Sequence, residues 1–411
     1  MDSVVEDMSP GQLRDRLATQ LTGRNWIRTT PVEAAFRAVP RHLFVPDTVT
    51  AVEAYEDTVV ATKHGQDGTT LSSVSAPWVQ AYALEESGIR SGDRVLEVGS
   101  GGYNAALLAE LTGPHGHVVT VDIDADITTA ARSYLDSAGY PHVEVVHGDG
   151  ERGHQPGAPY DAIIVTVEAG DIPAAWIEQL APGGRIVVPL RMRTLTRYLT
   201  LQHQGDHLAA TAALQCGFVA MQGDRSQRAR RVPLRGNDIV LLLDDPGEVH
   251  ADDLAAALTQ PRVERWAPVT ISGQESDAFE SLHLWLSSQP RPFGALAVDR
   301  EATAGLLDPQ DRFTCPTLLT DDSLAYLAMR KNDDTTWQLG AHGFGPHADT
   351  LATDLQDLIV TWDCDYRHGS GPEITVHPVD PPPAEPDQLR LTVTRRHTTI
   401  LTTWPAQGRP R

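Results

Sequence analysis

The clearest pattern of apolar positions is a short apolar run, a glycine-rich break and a longer helix-forming run: Arg94-Val-Leu-Glu-Val-Gly-Ser-Gly-Gly-Tyr-Asn-Ala-Ala-Leu-Leu-Ala109. An apolar run of that length bounded by turn residues reads as a buried strand, and the segment after the glycines reads as a helix. A second apolar run, Val118 to Val121, ends in Asp122. Together these predict one βαβ unit with a carboxylate at its second strand tip. In such a unit the glycines let a ligand approach the backbone of the turn, and the tip carboxylate accepts hydrogen bonds from ribose hydroxyls. The turn lacks the regular G-x-G-x-x-G spacing of dinucleotide sites, so a nucleoside without a pyrophosphate fits better. S-adenosyl-L-methionine is the expected cofactor.

The alternation continues on both sides of this unit. Strands are expected at Arg94 to Val98, His117 to Asp122, Val143 to His147, Asp161 to Thr166 and Gly184 to Leu190, with helices at Asn104 to Leu111, Asp124 to Ser137 and Pro173 to Leu180. This order predicts a mainly parallel sheet covered on both faces, an α/β domain over residues 81–243. Residues 1–80 read as a helical segment and a loop that contributes to the active site. Pro31 follows Thr30 at a first helical position, and the helix stops before Pro40. After Asp244-Asp245-Pro246-Gly247 the texture changes, which sets the expected domain boundary. Residues 244–411 read as a C-terminal α+β domain. It has a hairpin from Leu324 to Arg330 and Thr336 to Gly340, and a helix from His347 to Trp362 with Leu351, Leu355, Leu358 and Trp362 on one face. Further strands are expected at Glu373 to His377 and Gln388 to Thr394, flanking a proline-rich loop.

At 411 residues the chain is long enough for two domains or more. Its mean hydropathy of -0.27 is that of a water-facing globular protein. The N-terminus lacks a signal-peptide pattern, and no apolar run approaches the ~20 residues that cross a bilayer. Cys216, Cys315 and Cys364 are odd in number and far apart, which suggests neither a disulfide framework nor a zinc site; a reducing cytoplasm is expected. The cysteines, and Met192, Met221 and Met329, read most simply as buried packing residues. His64, His147 and His154 lack metal-ligand spacing and read as surface or loop histidines. No metal is expected.

The formal net charge of -22 argues against a nucleic acid partner. The charge is unevenly spread. From Arg191 to Arg235 eight arginines face two acids, whereas from Gly236 to Arg411 27 acids outnumber 13 basic residues. Arg228, Arg230 and Arg231 are therefore candidates for docking an acidic part of a substrate; a solvated basic loop is the alternative.

Several segments then line up in order: Val39-Pro-Arg-His-Leu-Phe-Val-Pro46, Ser73-Val-Ser-Ala-Pro77, Val95-Leu-Glu-Val-Gly-Ser-Gly-Gly-Tyr103, Gly148-Asp-Gly150, Ala158-Pro-Tyr-Asp-Ala-Ile-Ile-Val165 and Gly183-Gly-Arg-Ile-Val-Val-Pro189. From about Pro31 to Gly223 the chain resembles the protein-L-isoaspartate O-methyltransferase family. It is most similar to a peptide-tailoring branch that accompanies lanthipeptide precursors, including the FxLD group, and other ribosomally made peptides. The resemblance implies a Rossmann-like class I methyltransferase domain. Two departures stand out. The family turn Gly-x-Gly-Ser-Gly-Tyr is one residue shorter here. The segment Lys63-His-Gly-Gln-Asp-Gly-Thr-Thr-Leu-Ser72, near the substrate in the family, is rebuilt. That change bears on acceptor recognition and leaves cofactor binding intact.

By the same resemblance Ser75 is the active-site serine, donating to the substrate carboxylate or ordering the methyl donor; its alternative is a helix N-cap before Pro77. Ser72, Ser73 and Val74 match cofactor-lining positions, as do Gln80 and Gln222. Glu97 is expected to order the glycine turn and the methionine end of the cofactor, with a solvated strand end as its alternative. Gly99 and Gly101 let the cofactor approach, while Gly102 is open to a helix-packing role. Asp122 accepts from the ribose, Ile123 packs on adenine, and Asp149, beside Gly150, accepts from the adenine amino group, unless Asp149-Gly150 is a simple turn. Methyl transfer to a carboxylate needs no general base, because an aspartate with an ordinary pKa of about 3.9 is already ionised. Positioning supplies most of the acceleration. The implied substrate is an aspartate of a ribosomally synthesised, already cyclised precursor peptide, whose ester closes to an aspartimide. General repair of isoaspartyl damage is the first rival, and a non-catalytic peptide-binding protein on the same fold is the second. The C-terminal domain is expected to recognise the peptide, with a structural cap as its alternative.

Overall fold

The computed structural model describes residues 8–66, 68–99, 101–223, 228–244, 247–273, 276–307, 315–378, 381, 383 and 388–405. The chain forms two compact units. The first holds Met1–Leu190, Thr196–Gln227 and Arg396–Thr398, and the second holds Arg191–Leu195, Arg228–Arg395 and Thr399–Arg411. The main stretch of the second unit thus begins at Arg228, before the change in composition at Asp244, and Arg191–Leu195 also belongs to it.

In the first unit, α1 (Pro10–Gly23) starts at a reciprocal cap between Ser9 and Gln12 and buries Leu13, Leu17 and Leu21, which recur at helical spacing. α2 (Thr30–Ala38) begins with proline in its first turn, as expected, and ends before Pro40. A short α3 (Ala51–Ala54) follows. The predicted loop then folds as an antiparallel pair, β1 (Val60–His64) and β2 (Thr70–Val74). α4 (Pro77–Ser87) leads into the alternating region: β3 (Arg94–Val98), α5 (Tyr103–Thr112), β4 (His117–Asp122), α6 (Ala125–Ala138), β5 (Glu144–His147), β6 (Tyr160–Val165), α7 (Ala174–Gln179), β7 (Leu180–Met192), β8 (Leu195–Gln204) and β9 (His207–Gln215).

The strands run in the order β9–β8–β7–β6–β3–β4–β5. β5, β4, β3, β6 and β7 are mutually parallel, and β8 and β9 pair antiparallel. Val95, Leu96 and Val98 on β3, Val118, Val119 and Val121 on β4, and Ile163, Ile164 and Val165 on β6 are all buried. Burial of successive residues requires cover on both faces, the condition for a parallel sheet. Each such side chain removed from water contributes roughly 1.5–3 kcal/mol. The sequence walks outward from β3 through β4 to β5, then returns to β6 on the other side, leaving a switch point between β3 and β6. This is the class I, Rossmann-like methyltransferase fold.

The second unit is strand-rich. β10 (Arg230–Arg235), β11 (Ile239–Leu243), α8 (Ala251–Ala257), β12 (Val263–Ser272), α9 (Ser276–Ser287), β13 (Phe293–Val298), β14 (Cys315–Leu319), β15 (Leu324–Lys331), β16 (Thr336–Phe344), α10 (Ala348–Asp365), β17 (Glu373–His377), β18 (Arg390–Thr394) and β19 (Thr399–Thr403) follow in order. One antiparallel sheet runs β10–β11–β13–β14–β15–β16–β12, and β17 and β18 flank β19. The expected hairpin is β15–β16, paired from Leu324↔Phe344 to Lys331↔Trp337. α10 buries Leu351, Leu355 and Trp362 as expected, but Ile359 takes the buried place and Leu358 stays half-exposed. Cys216 and Cys315 are buried, whereas Cys364 is exposed, so packing does not account for it. Among the described residues no helix is long and apolar enough to cross a membrane.

Candidate active site

A cavity opens at the carboxyl ends of β3, β4 and β6, at the switch point where open α/β sheets bind ligands. Gly99 and Gly101 of the first turn, and Val121 to Asp124 at the end of β4, form one side. Leu71, Ser72 and Ser73 from β2 form a second, Val219 to Gln222 a third, and Thr166 and Val167 after β6 close it. Gly99 has φ of +99°, and a Cβ there would sit 2.6 Å from Thr166 Oγ1. That hydroxyl donates to the Gly99 carbonyl at 2.7 Å, which fixes the turn. Gly101 has open space where a side chain would be, so its backbone is open to a ligand.

Asp122 reaches the cavity from the end of β4, and the Asp124 backbone N–H donates to its Oδ1 at 2.9 Å. Ile123 beside it is 37% exposed, unusual for so large an apolar side chain, and His147 Nε2 lies 3.0 Å from the Ile123 carbonyl. Ile127 and Met221 add apolar surface. Met221 is thus a cavity residue as well as a packing residue. A strand-tip carboxylate for a diol, apolar side chains for a flat base and an open glycine backbone match the parts of S-adenosylmethionine. Gly150 and Gln222 also line the cavity, and Gln222 Nε2 donates to the Leu71 carbonyl at 3.3 Å.

Other predicted residues lie off the cavity wall. Glu97 is completely buried rather than a solvated strand end. Asn104 Nδ2 donates to it at 2.8 Å and Thr120 Oγ1 at 2.5 Å. Burial pushes its carboxyl up to about 7, against the downward pull of those two donors. Its reach is to the helix after the turn and to β4, not to the ligand space. Val74 is buried in the core. Gln80 is also buried, and its Oε1 accepts from Arg41 Nη1 at 3.0 Å, so its amide oxygen serves the protein. Arg41, itself fully buried, lies 4.9 Å from the Tyr103 ring centroid and donates to the carbonyls of Ala54 at 2.8 Å and Ser75 at 2.9 Å. Ser75 is half-buried and lies two residues beyond Ser73, the last cavity residue of β2. The N-cap of α4 is Ala76, without a side-chain cap bond, so the capping alternative for Ser75 is not realised.

Asp149 caps the turn at Gly150–Arg152, accepting from the Glu151 N–H at 3.1 Å. It is not on the cavity wall, but a Cβ built on Gly223 would sit 3.8 Å from Asp149 Oδ1 and 3.9 Å from Ile123 Cδ1, which puts Asp149 at the rim. Arg228, Arg230 and Arg231 belong to the second unit, all exposed, and none lines this cavity. Sequence reading missed Leu71, Asp124, Ile127, Thr166, Val167, Val219 and Ala220. Thr166 and Val167 follow a parallel strand, so the strand-end rule could have found them; Ile127 and Asp124 had no signal apart from their closeness to Asp122.

The family model for protein-L-isoaspartate(D-aspartate) O-methyltransferase matches residues 12–226. The chain belongs to this family. It is a methyltransferase of the S-adenosylmethionine-dependent class. A protein-L-isoaspartate O-methyltransferase of Hyperthermus butylicus is 39% identical over 227 residues, covering 53% of this chain and 91% of that one. One from Methanoculleus marisnigri is 48% identical over 163 residues, covering 39% of this chain and 70% of its own length. A solved structure titled protein-L-isoaspartate O-methyltransferase matches with a TM-score of 0.50 at 20% identity, covering 88% of this chain and 96% of that one. This match shows fold alone, and it reaches beyond the family region.

Proposed function

We propose that the protein methylates an aspartate side chain in a ribosomally synthesised, cyclised precursor peptide, and that the ester then closes to an aspartimide. The observation that carries this reading is the rebuilt segment after Lys63. It folds as a hairpin that lends Leu71, Ser72 and Ser73 to the cofactor cavity and runs straight on to Ser75. The segment that reads as rebuilt relative to the repair enzymes thus ends on the wall of the cofactor cavity.

The bound cofactor supplies an electrophilic methyl group on a sulfonium. Asp122 holds the ribose, and the glycine turn leaves the backbone free for the methionine end. The acceptor carboxylate is ionised at neutral pH and needs no base; what it needs is alignment with the methyl carbon, which Ser75 assists by donating a hydrogen bond. The cofactor held there would give its methyl group to a carboxylate oxygen and leave as the neutral thioether. The next residue's amide nitrogen then attacks the ester carbonyl, and methanol leaves with the amide proton. Proximity within a constrained peptide is enough for that second step.

The names of the relatives favour a second reading, general repair of isoaspartyl residues. Mass spectrometry on two substrates separates them: a linear isoaspartyl hexapeptide and a lanthionine-cyclised precursor peptide with an internal aspartate. The expected result is methyl addition followed by methanol loss on the precursor alone. Methylation of the isoaspartyl peptide with an untouched precursor would establish repair instead. Asp122→Ala should lower either activity at limiting cofactor by about ten- to a hundredfold, since a lost charge-assisted hydrogen bond costs roughly 1.5–3 kcal/mol of binding.

A further inference from the structure

The second unit contains a cavity of about 590 Å³, within the range of built ligand sites. Its floor is apolar and buried: Leu243, Phe293, Leu319 and Leu391. Four arginines line it, Arg193, Arg230, Arg291 and Arg390, against two acids, Glu248 and Asp321. The charges are also ordered by depth. Arg193 is buried and Arg291 and Arg390 are half-buried, whereas Arg230 and both acids are exposed. Solvent screens the rim acids more than the deeper guanidiniums, so the interior is positive within a strongly acidic part of the chain.

The arginines are held in place. Arg193 Nη1 donates to the carbonyls of Ser287 at 2.7 Å and Gln289 at 2.8 Å, and its guanidinium lies 5.4 Å from the Phe293 ring centroid. Arg291 pairs with Asp354 at 2.8 Å, which offsets part of its charge. Arg230 Nη2 donates to the Gly247 carbonyl at 2.8 Å across the rim. Side chains already fixed lose little freedom when a ligand arrives.

The walls also include backbone edges. Arg390, Leu391 and Thr392 belong to β18, the outermost strand of its sheet, which among the described residues pairs only with β19. Every second residue of such an edge turns its N–H and C=O outward, where an extended chain can pair with them. A positive, apolar-floored cavity beside a strand edge that pairs with no other described strand matches one kind of occupant in all three respects.

We propose that this cavity binds an extended polypeptide segment that adds as a strand to β18 and sets an acidic side chain against the arginine wall. Backbone pairing supplies affinity, and the arginines select the carboxylate. In assigning that segment to the methyl acceptor, the inference rests on the reading of the protein as a peptide-modifying enzyme.

The test uses the full chain and two fluorescein-labelled probes, acetyl-Val-Glu-Val-Glu-Val-amide and its glutamine counterpart. Fluorescence anisotropy should show the glutamate peptide binding about tenfold or more tightly than the glutamine one. Arg390→Glu should remove most of that preference while leaving S-adenosylmethionine affinity as in wild type. Hydrogen exchange on the unaltered protein should show residues 390–394 protected by the glutamate peptide. Equal affinity for the two probes, or no protection of 390–394 at saturation, overturns the proposal, whatever the fate of the variant. Methylation assays on the same preparation keep the two ideas apart. Peptide binding without methyl transfer defeats the enzymatic reading only, and methyl transfer without peptide selectivity defeats only the cavity.

Discussion

Burial holds the Glu97 carboxyl up at about 7 beneath the glycine turn, although Thr120 and Asn104 both donate to it. In the unfolded chain the same group titrates near the ordinary value of about 4.3. Between those two values the folded protein keeps a proton that the unfolded chain has released. The unfolded state then binds fewer protons, so stability falls as pH rises through this window and the loss is complete above the folded value. Glu97→Gln removes the titration while keeping an amide that can serve Asn104 and Thr120. Thermal melts from about pH 5 to about pH 8 should show the variant gaining on wild type as pH rises, by up to about 3 kcal/mol. A constant gap across that range would mean that Glu97 titrates as an exposed carboxylate does. Asp122 and Glu97 thus differ in kind, though both are acids on β3–β4 strands: one faces the ligand space, the other fastens α5 and β4 from below.

At the scale of elements, the hairpin β1–β2 is joined to the start of α6 by Lys63, whose Nζ lies 2.6 Å from Asp124 Oδ2 and 2.9 Å from Asp126 Oδ2. Asp124 also caps α6, so the lysine fastens a cavity wall to the residues that follow Asp122 and Ile123. Lys63→Met should weaken cofactor binding by about two- to fivefold, the scale of an exposed ion pair, and should make the affinity less sensitive to added salt. Calorimetry at low and high salt checks both; an unchanged affinity with an unchanged salt response removes Lys63 from the wall. This hairpin shows where sequence reading stopped. The parallel strands were legible because both faces are buried and their residues read as unbroken apolar runs. β1 and β2 carry Thr62, Lys63, Ser72 and Ser73, half-buried throughout, so no alternation marks them as strands. Asp122 could be found from its place at a strand tip. Gln80 and Val74 could not be told from cavity residues, because their burial depends on Arg41 and on packing across the fold. Arg41 lies in the segment Val39 to Pro46 that carries the family resemblance, but its role has no pattern in sequence until its carbonyl partners at Ala54 and Ser75 are folded around it.

At the scale of the whole molecule, the chain does not divide into its two units at a single point. Arg396–Thr398 belongs to the first unit although it lies between strands β18 and β19 of the second. Its anchor is Asp171: the His397 N–H donates to Oδ2 and the Thr398 hydroxyl to Oδ1, each at 2.7 Å. A cut after Leu243, where composition alone suggests a boundary, would keep every residue of the cofactor cavity. It would also take away both donors and leave a half-buried carboxylate with fewer partners. Loss of activity in such a fragment would therefore not by itself identify the C-terminal region as a recognition module. A double-mutant cycle in the full chain measures the strap directly. Asp171→Asn should cost roughly 1.5–3 kcal/mol, because hydrogen bonds to a charged acceptor are the stronger kind. Thr398→Val should cost less, since it removes one donor only. If the strap acts through Asp171, the pair together should cost about 1 kcal/mol less than the two separate losses, because the bond they share can be lost only once. Denaturant melts supply all the values required. Strict additivity would mean that Thr398 and Asp171 contribute independently, and that the late segment merely passes the first unit without fastening it.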